Sequence, residues 1–100
     1  MDLREDAVGE VLVLAVKGRI DSTTAPALGE RLTALLAGPE RRLVVDLAQL
    51  EYISSAGISV IMQTYKRLLA EGTKLSLVGM TPRVRNVFAY AGLDRILDIK

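Results

Sequence analysis

The residues best placed to do chemistry in this chain are hydroxyls and carboxylates. Ser54 and Ser55 stand side by side ahead of the small pair Ala56-Gly57 and the apolar Ile58, and Asp21 is followed by Ser22 and Thr23. Asp46 and Glu51 supply two further carboxylates. What such groups can do depends on their company. The chain has neither histidine nor cysteine, so the commonest general base, the commonest soft nucleophile and most zinc ligands are missing. No serine sits in a Gly-x-Ser-x-Gly elbow, and no Gly-x-x-x-x-Gly-Lys-Ser/Thr loop offers to cradle a nucleotide. Asp21, Asp46 and Glu51 would suit a hard cation such as magnesium, but nothing in their spacing demands one. The pattern points away from an enzyme and from any bound metal or cofactor.

The serine pair has two physical readings. In the first it caps a helix: a hydroxyl at a loop-to-helix junction accepts a hydrogen bond from a free backbone N–H, and Ala56-Gly57 lets the first turn pack closely. In the second the same junction receives a phosphate, because unpaired N–H groups and the positive end of the helix dipole favour an anion there. A phosphoserine would add about −1.5 to −2 charges, tolerable to the fold but repulsive to a partner that buries the helix end. Asp21 divides in the same way, as a helix-entry cap or as a carboxylate that positions or repels the modified serine. Asp46 reads first as an acceptor for loop N–H groups.

These residues need elements to hold them. Residues 3–7 are a candidate edge strand, Gly9-Glu10 a turn, and Val11–Val16 a buried strand. Lys17–Asp21 lead to Ser22, Thr23 and Thr24, which can cap a helix with Pro26 in its first turn. That helix buries Leu28, Leu32, Leu35 and Leu36 and is stopped by Gly38-Pro39. Leu43–Leu47 read as a second buried strand, and Gln49–Tyr52 as a short loop. A helix comes next, with Ile58, Ile61, Met62, Tyr65, Leu68 and Leu69 on its apolar stripe and Gln63, Thr64, Lys66 and Arg67 facing away. Lys74–Val78 read as a half-buried strand. Thr81-Pro82 start a helix with a stripe of Val84, Val87, Phe88 and Ala91, closed by Gly92. Ile96, Leu97 and Ile99 form a last strand.

The order β-β-α-β-α-β-α-β implies an α/β domain with a mixed, mostly parallel sheet, packed helices and an antiparallel first strand at one edge. Its strand ends, where ligands and partners tend to meet such sheets, hold Asp21 and Ser54-Ser55. One hundred residues, half of them hydrophobic, fit a single domain over 1–100 with an adequate core. Thirteen basic and twelve acidic residues leave a formal charge of +1, which does not suit nucleic-acid binding. Arg41-Arg42, Lys66-Arg67 and Arg83-x-Arg85 read as solvated faces. Tyr52 and Tyr65 read as cover for the sheet's edge, and Ser59, Gln63 and Lys66 as an exposed helix rim. The longest apolar run is far short of the about 20 residues a membrane helix needs. The first residues lack a secretory signal, so membrane insertion is not expected and a cytoplasmic location is.

Leu50-x-Tyr52-Ile53-Ser54-Ser55-Ala56-Gly57-Ile58, after the Asp46-Leu47 strand, resembles the signature of STAS-domain anti-sigma factor antagonists. Gly18-Arg19-Ile20-Asp21 is similar to the family's Gly-x-Leu/Ile-Asp run. Gly79-Met80-Thr81-Pro82-x-Val84 through Ala91-Gly92-Leu93 is similar to its third-helix segment. The resemblance implies a STAS domain that, unmodified, binds an anti-sigma factor with serine kinase activity and so releases a sigma factor. Phosphorylation of one serine ends binding, and a metal-dependent serine phosphatase restores it. The family's Asp-Ser-Ser/Thr-Gly run puts the phosphosite at Ser55, with Ser54 as second choice. Ser54 stands where the family has aspartate, and Ala56 replaces its second hydroxyl. Asp21, Ser22, Thr23, Ser54, Ala56, Gly57 and Ile58 are the implied surroundings. Two other roles stay open: a phosphorylation-independent STAS scaffold, and a small-molecule or nucleotide sensor at the sheet end.

Overall fold

The apolar run that begins at Val11 does not stop at Val16. In the computed structural model, which describes residues 1–38 and 41–100, it continues as strand β2 (Val11–Ile20). Leu14, Val16 and Ile20 are buried while Lys17 and Arg19 are exposed, the alternation of a strand with one face on a core and the other toward water. Strand β1 (Asp2–Val8) pairs with it antiparallel at the sheet's edge. Gly9, at φ 61°, supplies the left-handed conformation that the tight turn between them requires.

Strand β3 (Arg42–Ile53) runs parallel to β2 and corrects the expected loop at Gln49–Tyr52. Its buried residues are Leu43, Val45, Leu47, Leu50 and Ile53, so the spacing changes from two to three after Leu47. Two register shifts against β2, between Ala15 and Lys17 and between Gly18 and Arg19, absorb the change. Each bulge puts one extra residue into β3, which returns Leu50 and then Ile53 to the core face. Strands β4 (Leu75–Val78) and β5 (Asp98–Ile99) add in parallel, giving the order β1-β2-β3-β4-β5.

Three helices connect the strands: α1 (Ala25–Leu35), α2 (Ser55–Ala70) and α3 (Pro82–Tyr90), with a 3-10 turn at Leu93–Arg95 before β5. The expected α/β architecture and element order are therefore those observed. Leu28 and Leu32 of α1, Ile61 and Leu68 of α2, and Val84 and Phe88 of α3 join the sheet residues in one buried cluster. Full burial of each such side chain is worth about 1.5–3 kcal/mol. As expected, Thr81 caps α3, its Oγ1 accepting from Val84 N at 3.3 Å. Among the described residues no helix is long and apolar enough to cross a membrane.

Several local expectations change. Thr64 is buried rather than outward-facing; its Oγ1 donates to Val60 O at 2.9 Å, so its own helix satisfies the hydroxyl and burial leaves nothing unpaired. Leu69, placed on the apolar stripe, is exposed. Ala91 lies just beyond α3 and is exposed, and Ile96 is exposed outside β5 because the 3-10 turn consumes the approach to the sheet. Helix α1 ends at Leu35; Pro39, half of the expected stop, lies outside the described residues. Strand β4 is flanked on both sides, and Leu75, Ser76 and Leu77 are all buried.

Ser76 is the polar exception in that strand. Its Oγ donates to Asp98 Oδ2 at 2.7 Å and accepts from an Arg42 N–H at 3.3 Å, linking β3, β4 and β5. Lys74 and Lys100 approach the same Asp98 oxygen at 3.1 and 3.7 Å. The Ser76 hydrogen bond, helped by Lys74, holds the Asp98 carboxyl below the ordinary aspartate pKa. A depressed carboxyl pKa stabilises the fold above the unfolded-state value, and the stabilisation disappears as pH falls through the folded-state value. Asp98→Asn should therefore lower the urea midpoint at neutral pH, and the gap from wild type should close at a pH below the ordinary aspartate pKa. An equal gap at both pH values would show that the carboxylate's charge does not hold this end of the sheet.

Candidate functional site

Strands β2 and β3 finish level with one another. Ile20 pairs with Ile53, and Ser54 N donates to Ile20 O at 2.9 Å, carrying the hydrogen bonding one step beyond the strand. Ser54 keeps an extended backbone, with φ −92° and ψ 174°, and is the N-cap of α2. Its carbonyl accepts the first helical bond, from Ile58 N at 3.0 Å, and its Oγ accepts a long bond from Gly57 N at 3.5 Å. The chain thus turns from strand to helix within a single residue.

Gly57 makes that turn possible. A β-carbon there would lie 2.6 Å from Ile20 Cγ2 and 2.7 Å from Ile53 Cγ1. Both isoleucines are core residues, so the first turn of α2 rests directly on the two strand ends. Ser55, the first residue of α2, is exposed; Ala56 and Ile58 are half-buried. The first turn contains no acidic residue, and only the long Ser54 bond engages its N–H groups through a side-chain cap. The positive end of the helix dipole is therefore open to solvent beside the Ser55 hydroxyl.

Asp21 lies at the end of β2 beside this turn and is occupied locally. Its Oδ1 accepts from Thr23 Oγ1 at 2.6 Å, Thr23 N at 3.0 Å, Thr24 N at 3.2 Å and Thr24 Oγ1 at 3.4 Å. Its own N–H donates to Thr24 Oγ1 at 2.9 Å, and its carbonyl accepts from Ala25 N at 2.8 Å. The Thr23 hydroxyl, followed by the Thr23 N–H, keeps the Asp21 carboxyl below the ordinary aspartate pKa. Asp21 organises the entry to α1, whose N-cap Thr24 makes no side-chain cap bond of its own. Ser22 and Thr23 are exposed on the same loop.

The Ser54–Ile20 bond thus places Asp21 next to the strand-to-helix turn of Ser54, Ser55, Ala56, Gly57 and Ile58, with Ser22 and Thr23 following on its own loop. Asp46 sits within β3 rather than at its end, and its Oδ1 accepts from Ala48 N at 3.0 Å across the first bulge. Asp21, Asp46 and Glu51 do not form a metal-holding group among the described residues. A depression of about 730 Å³ lies elsewhere, against Lys17, Gln49, Glu51, Thr81 and Arg83, and touches none of Asp21, Ser54 and Ser55. Sequence reasoning missed the positioning role of Ile20 and Ile53. It also missed the pairing of Arg19 with Tyr52, whose ring centroid lies 4.4 Å from the guanidinium carbon. The signal for both was the three-residue spacing from Leu47 to Ile53, which fits neither regular strand nor helix.

The sequence matches the family model described as Mlab, STAS domain, over residues 3–98. It is 35% identical over 99 residues to BtrV of Bordetella bronchiseptica, covering 99% of this chain and 85% of that protein. It is 33% identical over 85 residues to the anti-sigma-B factor antagonist of Listeria monocytogenes, covering 85% of this chain and 75% of that protein. A solved anti-sigma factor antagonist from Mycobacterium paratuberculosis superposes with a TM-score of 0.87 at 31% identity, over 98% of this chain and 83% of that one.

Glycine-to-alanine exchange at two helical positions separates contact from propensity. At Gly57 overpacking costs about 1–3 kcal/mol while helix propensity returns about 1. The melting temperature should fall, by roughly 4–8 °C for each net kcal/mol. At Gly29 of α1 a β-carbon would meet Val60 methyls at an ordinary 3.8 and 3.9 Å, so Gly29→Ala should gain about 0.5–1 kcal/mol. If Gly57→Ala melts at or above wild type, the seat on Ile20 and Ile53 does not constrain the helix.

Proposed function

The chain belongs to the STAS-domain family, and on that premise we propose that it is an anti-sigma factor antagonist switched by phosphorylation of Ser55. The observation that carries the choice of residue is the division of labour between neighbouring hydroxyls. Ser54, half-buried with an extended backbone, caps α2; Ser55, exposed on the first turn, has a hydroxyl free of any structural duty among the described residues. The named functions of the Listeria and Mycobacterium relatives support the antagonist role.

In the proposed cycle the unmodified chain binds an anti-sigma factor through the surface around Ser55, and the sigma factor is released. The anti-sigma factor's serine kinase activity then moves the γ-phosphoryl group of ATP to Ser55 Oγ, which loses its proton as ADP leaves. The fold accommodates the new dianion, because it sits at an open helix N-terminus with no acid in the first turn. The complex does not, because a partner covering this end meets about −1.5 to −2 added charges that must be desolvated. A metal-dependent serine phosphatase hydrolyses the ester, returning serine and inorganic phosphate. In this cycle the chain is ligand and substrate rather than catalyst, and the cycle runs in the cytoplasm, where ATP and the transcription machinery are found.

Three variants test the reading in direct binding to the cognate anti-sigma factor. Ser55→Asp should weaken binding by roughly 100-fold or more, since misplaced like charge in an interface costs several kcal/mol. Ser55→Ala should bind as wild type and take up no phosphate from ATP and the kinase. Ser54→Ala should still be phosphorylated, while losing about 0.5–2 kcal/mol of stability with its cap. Equal binding by Ser55→Ala and Ser55→Asp would instead identify a phosphorylation-independent scaffold.

A further inference from the structure

Beside the proposed switch the sheet presents an aromatic ring that the core does not use. Tyr52 is 39% exposed although its neighbours in β3, Leu50 and Ile53, are buried. It is held in place by Arg19, whose guanidinium carbon lies 4.4 Å from the ring centroid. The two residues are direct partners across β2 and β3, immediately after the second bulge and one step before the Ile20–Ile53 pair. The register shift that levels Ile53 with Ile20 is therefore the one that sets Arg19 opposite Tyr52.

We propose that the stacked Arg19–Tyr52 pair is a binding hot spot for the same anti-sigma factor surface that covers Ser55. This inference rests on the antagonist reading and adds to it the residues that supply affinity. Three peptide units separate Tyr52 from Ser55, so their Cα atoms lie no more than about 11 Å apart. A standard interface of about 800 Å² on each partner, taken as a disc, reaches about 16 Å from its centre. A partner centred on Ser55 that wraps over the end of β3 thus reaches Tyr52, which points to the sheet face opposite Ile53.

The chemistry suits that position. Tyrosine and arginine are the side chains most often found, with tryptophan, where binding energy concentrates. Stacking fixes the ring before the partner arrives, which reduces the ordering cost of association. The guanidinium carbon lies over the ring and a guanidinium carries five N–H donors, so the partner that fits presents an apolar side chain to Tyr52 and a carboxylate or carbonyl oxygen to Arg19. Ser54 N bonds to Ile20 O, tying the pair and the switch serine to one rigid frame. Ser55 would then decide whether the complex is permitted, and Arg19–Tyr52 how tight it is.

The test measures dissociation constants for each anti-sigma factor of the source genome, purified and immobilised, with wild type, Tyr52→Ala, Arg19→Ala, the double variant, Tyr52→Phe and Ser55→Asp. Tyr52→Ala should weaken binding by about 30-fold or more. Arg19→Ala should weaken it by less, and the double variant should lose less than the two singles combined, because they act as one unit. Tyr52→Phe, which keeps the ring, should bind within about threefold of wild type. Melting temperatures read in parallel should stay close to wild type; if Tyr52→Ala alone is unstable, Arg19→Ala carries the decision. If wild type binds and Ser55→Asp does not, while Tyr52→Ala, Arg19→Ala and the double variant all bind like wild type, the hot spot is refuted and the antagonist reading stands. If wild type binds none of the anti-sigma factors, the antagonist reading falls and the hot spot with it.

Discussion

The contact on which the site depends is the seat of Gly57 on Ile20 and Ile53. Two branched side chains from adjacent strands leave no room for a β-carbon in the first turn of α2. The helix therefore begins almost on top of the strand ends, and Ser54 has one residue in which to change the chain's direction. An aligned pair of isoleucines is needed for this, and the ladder of β2 and β3 would not align them without correction. The two bulges supply it by giving β3 the extra residues that bring Ile53 level with Ile20. Bulges next to a functional turn are expected where a strand must re-aim the side chains at its end.

This constraint also explains which features were legible in the sequence. The alternation of helices and strands, the antiparallel first strand and the Thr81-Pro82 helix start could be read because each is a local pattern with one physical cause. The serine pair could be read as a helix start for the same reason. The end of β3 could not: Leu47, Leu50 and Ile53 are spaced by three, and a strand's period of two excludes such spacing unless a partner strand accommodates bulges. That accommodation is a property of the pairing with β2, not of either segment alone. Thr64 was misplaced because a threonine that bonds its own helix backbone can be buried like a valine, which polarity scales do not anticipate.

The close seat has an electrostatic consequence as well. The cap of α2 is the neutral Ser54, and the first turn of the helix carries no acid. A neutral hydroxyl can cap a helix about as well as a carboxylate, but it leaves the dipole's positive end uncompensated. The neighbouring carboxylate of Asp21 is committed to Thr23 and Thr24, which lowers its appetite for protons and limits its freedom to swing toward Ser55. The backbone field at the first turn of α2 is thus positive and is not offset by any acid of that turn.

The size of the change that one phosphate makes is set by this starting field. On a surface already bearing an aspartate at the cap, added negative charge would extend an existing field. Here, in the proposed cycle, it would set the added charge against the helix's own positive end while leaving the backbone where Gly57 holds it. A switch of that kind needs no refolding, and the seat opposes refolding, since moving the first turn of α2 would uncover Ile20 and Ile53 at about 1.5–3 kcal/mol each. Rigid backbone and reversible charge are complementary: the more firmly the isoleucines fix Ser55, the more completely the free energy of modification is expressed at the partner's surface rather than dissipated in the domain.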